Sequence, residues 1–278
     1  MSTVTISAQD INKLRQMTGA GMMDCRKALT ETNGDFEAAI DWLRKQGQKV
    51  AAKRSDREAK EGVVIAQTTD DHKTGIVVCV SCETDFVSKN ADFVAFAQSI
   101  AEAAIGHNVK SLEELMNAKA PHTTVAEMVN DKLASIGEKI GVTKFERIDA
   151  PYVASYIHGA YRIGVLVGLD KANAEAGKDV AMQIAALNPV AVDADSVPAD
   201  VIAREKDIAL EQLKNDPKMA GKTTEMLEKI AAGKMNAFFK EQTLTAQAFV
   251  KDGGKTVADY LKSVGDVKVI AFKRVALG

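Results

Sequence analysis

A chain of 278 residues that is 46% hydrophobic is long enough to bury a real core, and its length suggests about two domains. Charged residues make up 27% with a net charge of -2, so no global basic field draws it to nucleic acid or to an anionic membrane. The most apolar runs, GIVVCV at 75–80 and IGVLVGL at 163–169, fall far short of the roughly 20 residues of a membrane helix. The start, MSTVTISAQD, lacks the basic-then-apolar order of a signal peptide, and three cysteines do not make a disulfide framework. These features together read as a cytoplasmic protein.

Residues 6–47 read as three short helices. Ser7 caps the first, whose apolar positions Ile11, Leu14 and Met17 recur at helical spacing, and TGAG at 18–21 stops it. Met22, Met23, Ala28 and Leu29 mark the second, and Asn33, Gly34 and Asp35 close it and cap a third carrying Phe36, Ala39, Ile40 and Leu43. Residues 1–47 are expected to form a small docking module; the alternative is a bundle packed on the main body. Residues 44–61 hold seven basic and three acidic side chains, so 48–61 read as a basic linker or exposed helix. No aromatics are interleaved there to stack on bases, so direct nucleic-acid binding is not expected.

Beyond the linker the sequence repeats. At an offset of 89, residues 63–81 fall on 152–170, with Gly75 on Gly164 and Val78 on Val167, and each copy reads as a β-hairpin with a long apolar second strand. The following helices, 97–103 and 181–187, align at an offset of 84, which places five extra residues in the first copy's strand-to-helix loop. Each copy closes alike, TVAEM then VTKFERI and TVADY then VIAFKRV, as helix then strand. The expected fold is α+β: a three-helix bundle, then a duplicated core of two small antiparallel sheets covered by helices, its halves at 62–150 and 151–278. A helical hairpin at about 200–242 is inserted in the second half, with Ile202, Ala209 and Leu213 on one face and Leu227, Ile230, Ala231 and Phe238 on another. Its apolar stripe makes it a candidate for self-association.

Motifs for chemistry are sparse. GKT occurs at 221–223 and 254–256, but Asp216 and Phe249 stand where a phosphate loop needs its leading glycine, and neither site is read as joining a strand to a helix. Cys79 and Cys82 form a lone CxxC whose members point to opposite faces of a strand, so core cysteines are the expectation. His72, His107, His122 and His158 show no metal spacing. Neither an active site nor a metal or cofactor site is read here.

The informative stretch is SCETDFVSKN at 81–90. Either Phe86 tucks back into its own core and Asp85 caps the next helix, or the loop serves a partner. The second half builds the same strand and helix without the extra residues, which favours a role outside the fold.

TGAGMMDCRKAL at 18–29, NGDFEAAIDWLRKQG at 33–47, CETDFV at 82–87 and YIHGAYRIGVLV at 156–167 together resemble the bacterial translation elongation factor Ts family, in order over almost the whole chain. The resemblance implies a guanine nucleotide exchange factor for elongation factor Tu, binding the GDP-bound and nucleotide-free partner, with no substrate converted. It implies that the N-terminal bundle is similar to a ubiquitin-associated fold and docks on the partner's nucleotide-binding domain. Thr84, Asp85, Phe86 and Val87 would reach toward the magnesium of bound GDP and displace it. Arg15, Met22 and Met23 would face the nucleotide domain, and His158, Phe249 and Val250 would serve contacts of the core. Some family members continue into a C-terminal helical module, a contact not carried over here. Two rivals remain: an adaptor that binds a ribosomal or ubiquitin-like partner through the bundle, and a thiol enzyme using Cys79 or Cys82.

Overall fold

The computed structural model describes residues 6–54, 56–120, 123–219 and 221–278. Residues 1–5, part of the start that lacks a signal-peptide pattern, lie outside the described residues, as do residue 55, His122 and the side chains of 51–53 in the basic segment.

Three helices open the chain: α1 Ala8–Thr18, α2 Met22–Glu31 and α3 Phe36–Lys53. Ser7 and Asp10 cap each other's backbone N–H groups at the start of α1. Ile11, Leu14, Cys25, Ala28, Leu29 and Ala39 form the bundle's core. The third helix runs on through Gly47 to Lys53, so the start of the 48–61 segment takes the helical form of the two left open for it. A Cβ at Gly47 would lie 2.9 Å from Cβ of Ala134, so this glycine is where a core helix crosses α3. Close packing offsets the roughly 1 kcal/mol that an interior helical glycine costs. The bundle is thus docked on the body, Val50 of α3 reaching the first half's core.

The first half continues with β1 Glu61–Thr68, β2 Thr74–Cys82, the single turn α4 Asp85–Ser88, α5 Ala91–Gly106, α6 Leu112–Asn117, the short pair β3 Lys119–Ala120 and β4 Thr123–Thr124, α7 Val125–Ile136 and β5 Gly141–Asp149. The second runs β6 Tyr152–His158, β7 Ile163–Leu169, α8 Ala174–Leu187, α9 Ala199–Asn215, α10 Thr224–Gln242, the pair β8 Ala248–Phe249 and β9 Asp252–Thr256, α11 Val257–Ser263 and β10 Val269–Ala276. The sheets are antiparallel with orders β1-β2-β5 and β6-β7-β10, so the repeat maps strand for strand.

Each central strand carries a continuous apolar run because it is covered on both faces. From β2, Ile76, Val78 and Val80 meet the helices of their own half, whereas Val77 and Cys79 meet Val153, Leu166 and Val275 of the other sheet. Cys79 and Cys82 accordingly lie in different clusters. The extra chain of the first half sits between strand and helix, residues 83–90 against 170–173 in the second.

The inserted hairpin is α9 and α10. Ala209, Leu213, Leu227 and Ala231 close on one another, with Ile230 beside them, so this part of the apolar stripe packs within the hairpin itself, while Ile202 and Phe238 lie outside that cluster. Contrary to the expectation from sequence, the GKT at 254–256 does end a strand, β9, and lead into a helix, α11. Phe249 still occupies the place of the leading glycine. Thr256 caps α11 and Lys255 lies 3.5 Å from Asp252, an arrangement that closes a turn.

Candidate functional site

Between β2 and α5 the chain is pinned at both ends. Cys82 is buried and its thiol donates to the Thr84 carbonyl at 3.2 Å, while Asn90 accepts the Asp92 N–H at 2.8 Å and caps α5. The intervening turn, α4, aims its side chains differently according to helical rotation. Val87 packs against the first half's core, and Phe86 at the apex is 85% exposed. Asp85 bonds Lys89 at 2.6 Å, and that hydrogen bond holds its carboxyl below the usual carboxylate range. Neither part of the inward alternative is realised: Phe86 is outside, and Asn90 rather than Asp85 caps α5.

Two carboxylates brace the base of this turn. Glu138, on the connection from α7 to β5, accepts the Thr84 backbone N–H at 3.1 Å and its hydroxyl at 2.8 Å. In return Glu83 accepts the Lys139 backbone N–H at 2.6 Å. Arg54, just past the end of α3, donates to both oxygens of Glu83 at 2.8 and 3.0 Å, and Arg57 lies 3.9 Å away. The Lys139 N–H first, and then Arg54, hold the Glu83 carboxyl below its ordinary value. An apolar side chain is therefore displayed to solvent from a base tied to two other segments.

The β6–β7 turn of the second half lies against this site. Its Tyr161 carbonyl accepts the Val64 N–H at 2.8 Å, and Gly159 to Arg162 face Thr84, Phe86 and Lys89 across a groove. His158, exposed at the end of β6, shares a 3.0 Å hydrogen bond with the Tyr156 hydroxyl. The hairpin end that carries His158 and the Phe86 turn thus flank one groove, although the two residues are 72 apart in sequence.

The other expected site residues are placed separately. Arg15 is exposed on α1, and Met22 and Met23 are exposed at the start of α2, with Met17 exposed on α1. Phe249 is buried and stacks on Tyr260 with ring centroids 4.2 Å apart, so of the Phe249–Val250 pair only Val250 faces solvent. Beneath that turn Gln183 accepts the Val250 N–H at 2.8 Å, and buried Asp179 binds Lys251 at 2.5 Å and the Tyr260 hydroxyl at 2.9 Å. Cys25, Cys79 and Cys82 are buried free thiols, and burial pushes that of Cys82 up to about 12. Among the described residues no group of three or more His, Cys, Asp or Glu side chains is placed to hold a metal ion.

The family model described as Elongation factor TS matches residues 83–278, and that described as UBA/TS-N domain matches residues 6–43. The chain belongs to the elongation factor Ts family. It is 48% identical to elongation factor Ts of Christiangramia forsetii over 277 residues, 98% of this chain and 99% of the relative. It is also 46% identical to that of Flavobacterium psychrophilum, covering 99% of each, and 44% identical to that of Methylococcus capsulatus, covering 99% of this chain and 93% of the relative. Membership in the elongation factor Ts family makes it a translation elongation factor of protein biosynthesis and associates it with guanine nucleotide exchange. The described helices include none long and apolar enough to cross a membrane.

The elongation factor Ts motif CETDFV was visible in the sequence, but its brace was not. Glu83 lies inside that motif, whereas Arg54 belongs to the run read as a basic linker or exposed helix and Glu138 to the connection between α7 and β5. They meet the turn across 29 and 54 residues, beyond any local pattern.

Proposed function

We propose that this chain is a guanine nucleotide exchange factor for elongation factor Tu that binds the GDP-bound partner, displaces its magnesium and holds the nucleotide-free form until GTP enters. The observation that carries the reading is Phe86, 85% exposed on a braced turn that only one of two sibling halves possesses. A side chain left in water at the tip of an ordered turn offers about 1.5 to 3 kcal/mol when a partner buries it. That free energy drives the helices it enters toward an arrangement less suited to magnesium. Magnesium neutralises phosphate charge and orders the switch segments, so its loss removes much of the affinity for GDP. Asp85, kept ionised by Lys89, adds a carboxylate near that perturbed site.

The remaining roles follow the same division. Residues 1–47 dock on the nucleotide-binding domain through Arg15, Met22 and Met23, residues 48–61 lead to the first half, and the halves at 62–150 and 151–278 straddle the partner. His158 beside the Phe86 groove and Val250 on the second half supply further contacts. Coupling is reciprocal, so GTP weakens the factor's hold and the cycle completes in the cytoplasm without a bond being made or broken in any substrate. The test is the dissociation of fluorescent GDP from purified elongation factor Tu, with and without the full chain. Acceleration is expected, and an unchanged rate at saturating protein rejects the reading.

A further inference from the structure

We infer that Arg54 is a positioning residue that locks the Phe86 turn to the third helix of the N-terminal bundle, so that docking of the bundle and presentation of Phe86 are one rigid movement. The inference rests on the exchange reading above and adds to it a residue outside the TDFV motif.

The path is continuous in the structure. Helix α3 begins in the bundle core with Phe36 and Ala39 and crosses the body at Gly47 against Ala134 of α7. It reaches Arg54, whose Nη1 holds both oxygens of Glu83, the residue preceding the turn's cap Thr84. Glu83 in turn holds the Lys139 N–H, and neighbouring Glu138 holds Thr84. Every link after α3 is a hydrogen bond to an ionised group, the class that is shorter and stronger than neutral pairs. Glu83 is well shielded, its side chain 12% exposed, so screening by salt is limited.

A four-residue turn has little intrinsic stability, since nucleating one fixes several dihedrals for a single hydrogen bond. Its order comes from the packing of Val87, the pinned ends at Cys82 and Asn90, and the two carboxylates below it. Without Arg54 the Glu83 carboxylate keeps the Lys139 N–H but loses its tie to α3. The bundle then docks as before while Phe86 samples orientations that do not enter the partner.

Stopped-flow release of fluorescent GDP from elongation factor Tu, measured against concentration of the full chain, tests this with the native protein, Arg54→Ala, Arg54→Lys, Glu83→Gln, Phe86→Ala and the Arg54→Ala/Phe86→Ala double variant. Arg54→Ala is expected to lower the saturating release rate at least about fivefold with little change in the half-saturating concentration. Because one guanidinium nitrogen makes both contacts, Arg54→Lys is expected to recover most of the rate. In the Phe86→Ala background the Arg54 substitution is expected to add nothing, the non-additivity of residues that act through one another. Glu83→Gln, which weakens the same bridge from its other end, is expected to mimic Arg54→Ala and guards against a variant that fails to fold. Native-like saturating rates for both Arg54→Ala and Glu83→Gln, or full additivity with Phe86→Ala, overturn the positioning role while leaving the exchange reading standing. Failure of the native chain to accelerate release overturns both.

Discussion

Gly75 and Gly164 stand at equivalent places in the two halves, and each is packed against the sheet of the other. A Cβ on Gly75 would lie 2.6 Å from Cγ1 of Val153, and one on Gly164 would lie 2.7 Å from both Cγ1 of Val64 and Cγ2 of Val77. The internal repeat preserves the glycine because the contact itself is duplicated. Gly164→Ala is expected to overpack this interface and lower stability by about 1 to 3 kcal/mol. Urea unfolding checks it: the midpoint should fall with an unchanged slope, and an unchanged midpoint would show that Val64 and Val77 yield to the methyl without cost.

Phe86→Ala should slow GDP release from elongation factor Tu at least about tenfold relative to the native chain, the loss expected when about 1.5 to 3 kcal/mol of apolar burial disappears. The melting temperature should stay within about 2 °C, because an 85% exposed side chain contributes little to its own fold. Stopped flow and thermal melting on one preparation separate the two effects. A large drop in melting temperature would mean that the residue supports the turn instead of a partner.

The brace also predicts a titration. Glu83 is held below its ordinary value of 4.5 by the Lys139 N–H and then by Arg54, so its ionised form is favoured in the folded state. A depressed carboxyl contributes stability that is present above the unfolded value and is lost as pH falls through the folded one, here below 4.5. Carboxyl carbon NMR on the free protein should place Glu83 below 4.5, and Arg54→Ala should move it upward. A native value at or above 4.5 would dissolve the argument for a charge-assisted brace.

Thiol chemistry is expected to be absent from the native fold. All three cysteines are buried, and burial raises their thiols, that of Cys82 to about 12. A disulfide reagent at pH 8 should find about none of the thiols reactive in the native protein and all of them after unfolding. Rapid native reaction at Cys79 or Cys82 would revive a thiol-based function.

Much of the fold could be read from the chain. The repeat announced itself because each copy builds its own sheet around a central strand buried on both faces, which forces a continuous apolar run and a glycine at the same register. Ser7 marked the start of the first helix through a local hydrogen bond that needs no tertiary context. Whether 48–61 begins as linker or as helix stayed open in the sequence, because a glycine that permits a crossing looks the same there as one that ends a helix, and only the position of Ala134 beside Gly47 distinguishes them.

The sequence by itself determined the order of elements, the duplication and the surplus of chain that carries TDFV, since these depend on periodicity and on residues close together in the chain. Tertiary structure alone decided that Phe86 points outward, that Phe249 is covered by Tyr260, and that Arg54, Glu83, Thr84 and Glu138 form one brace. Exposure and charge pairing depend on which distant segments arrive at the same place, and that is settled by packing the sheets and α3 together.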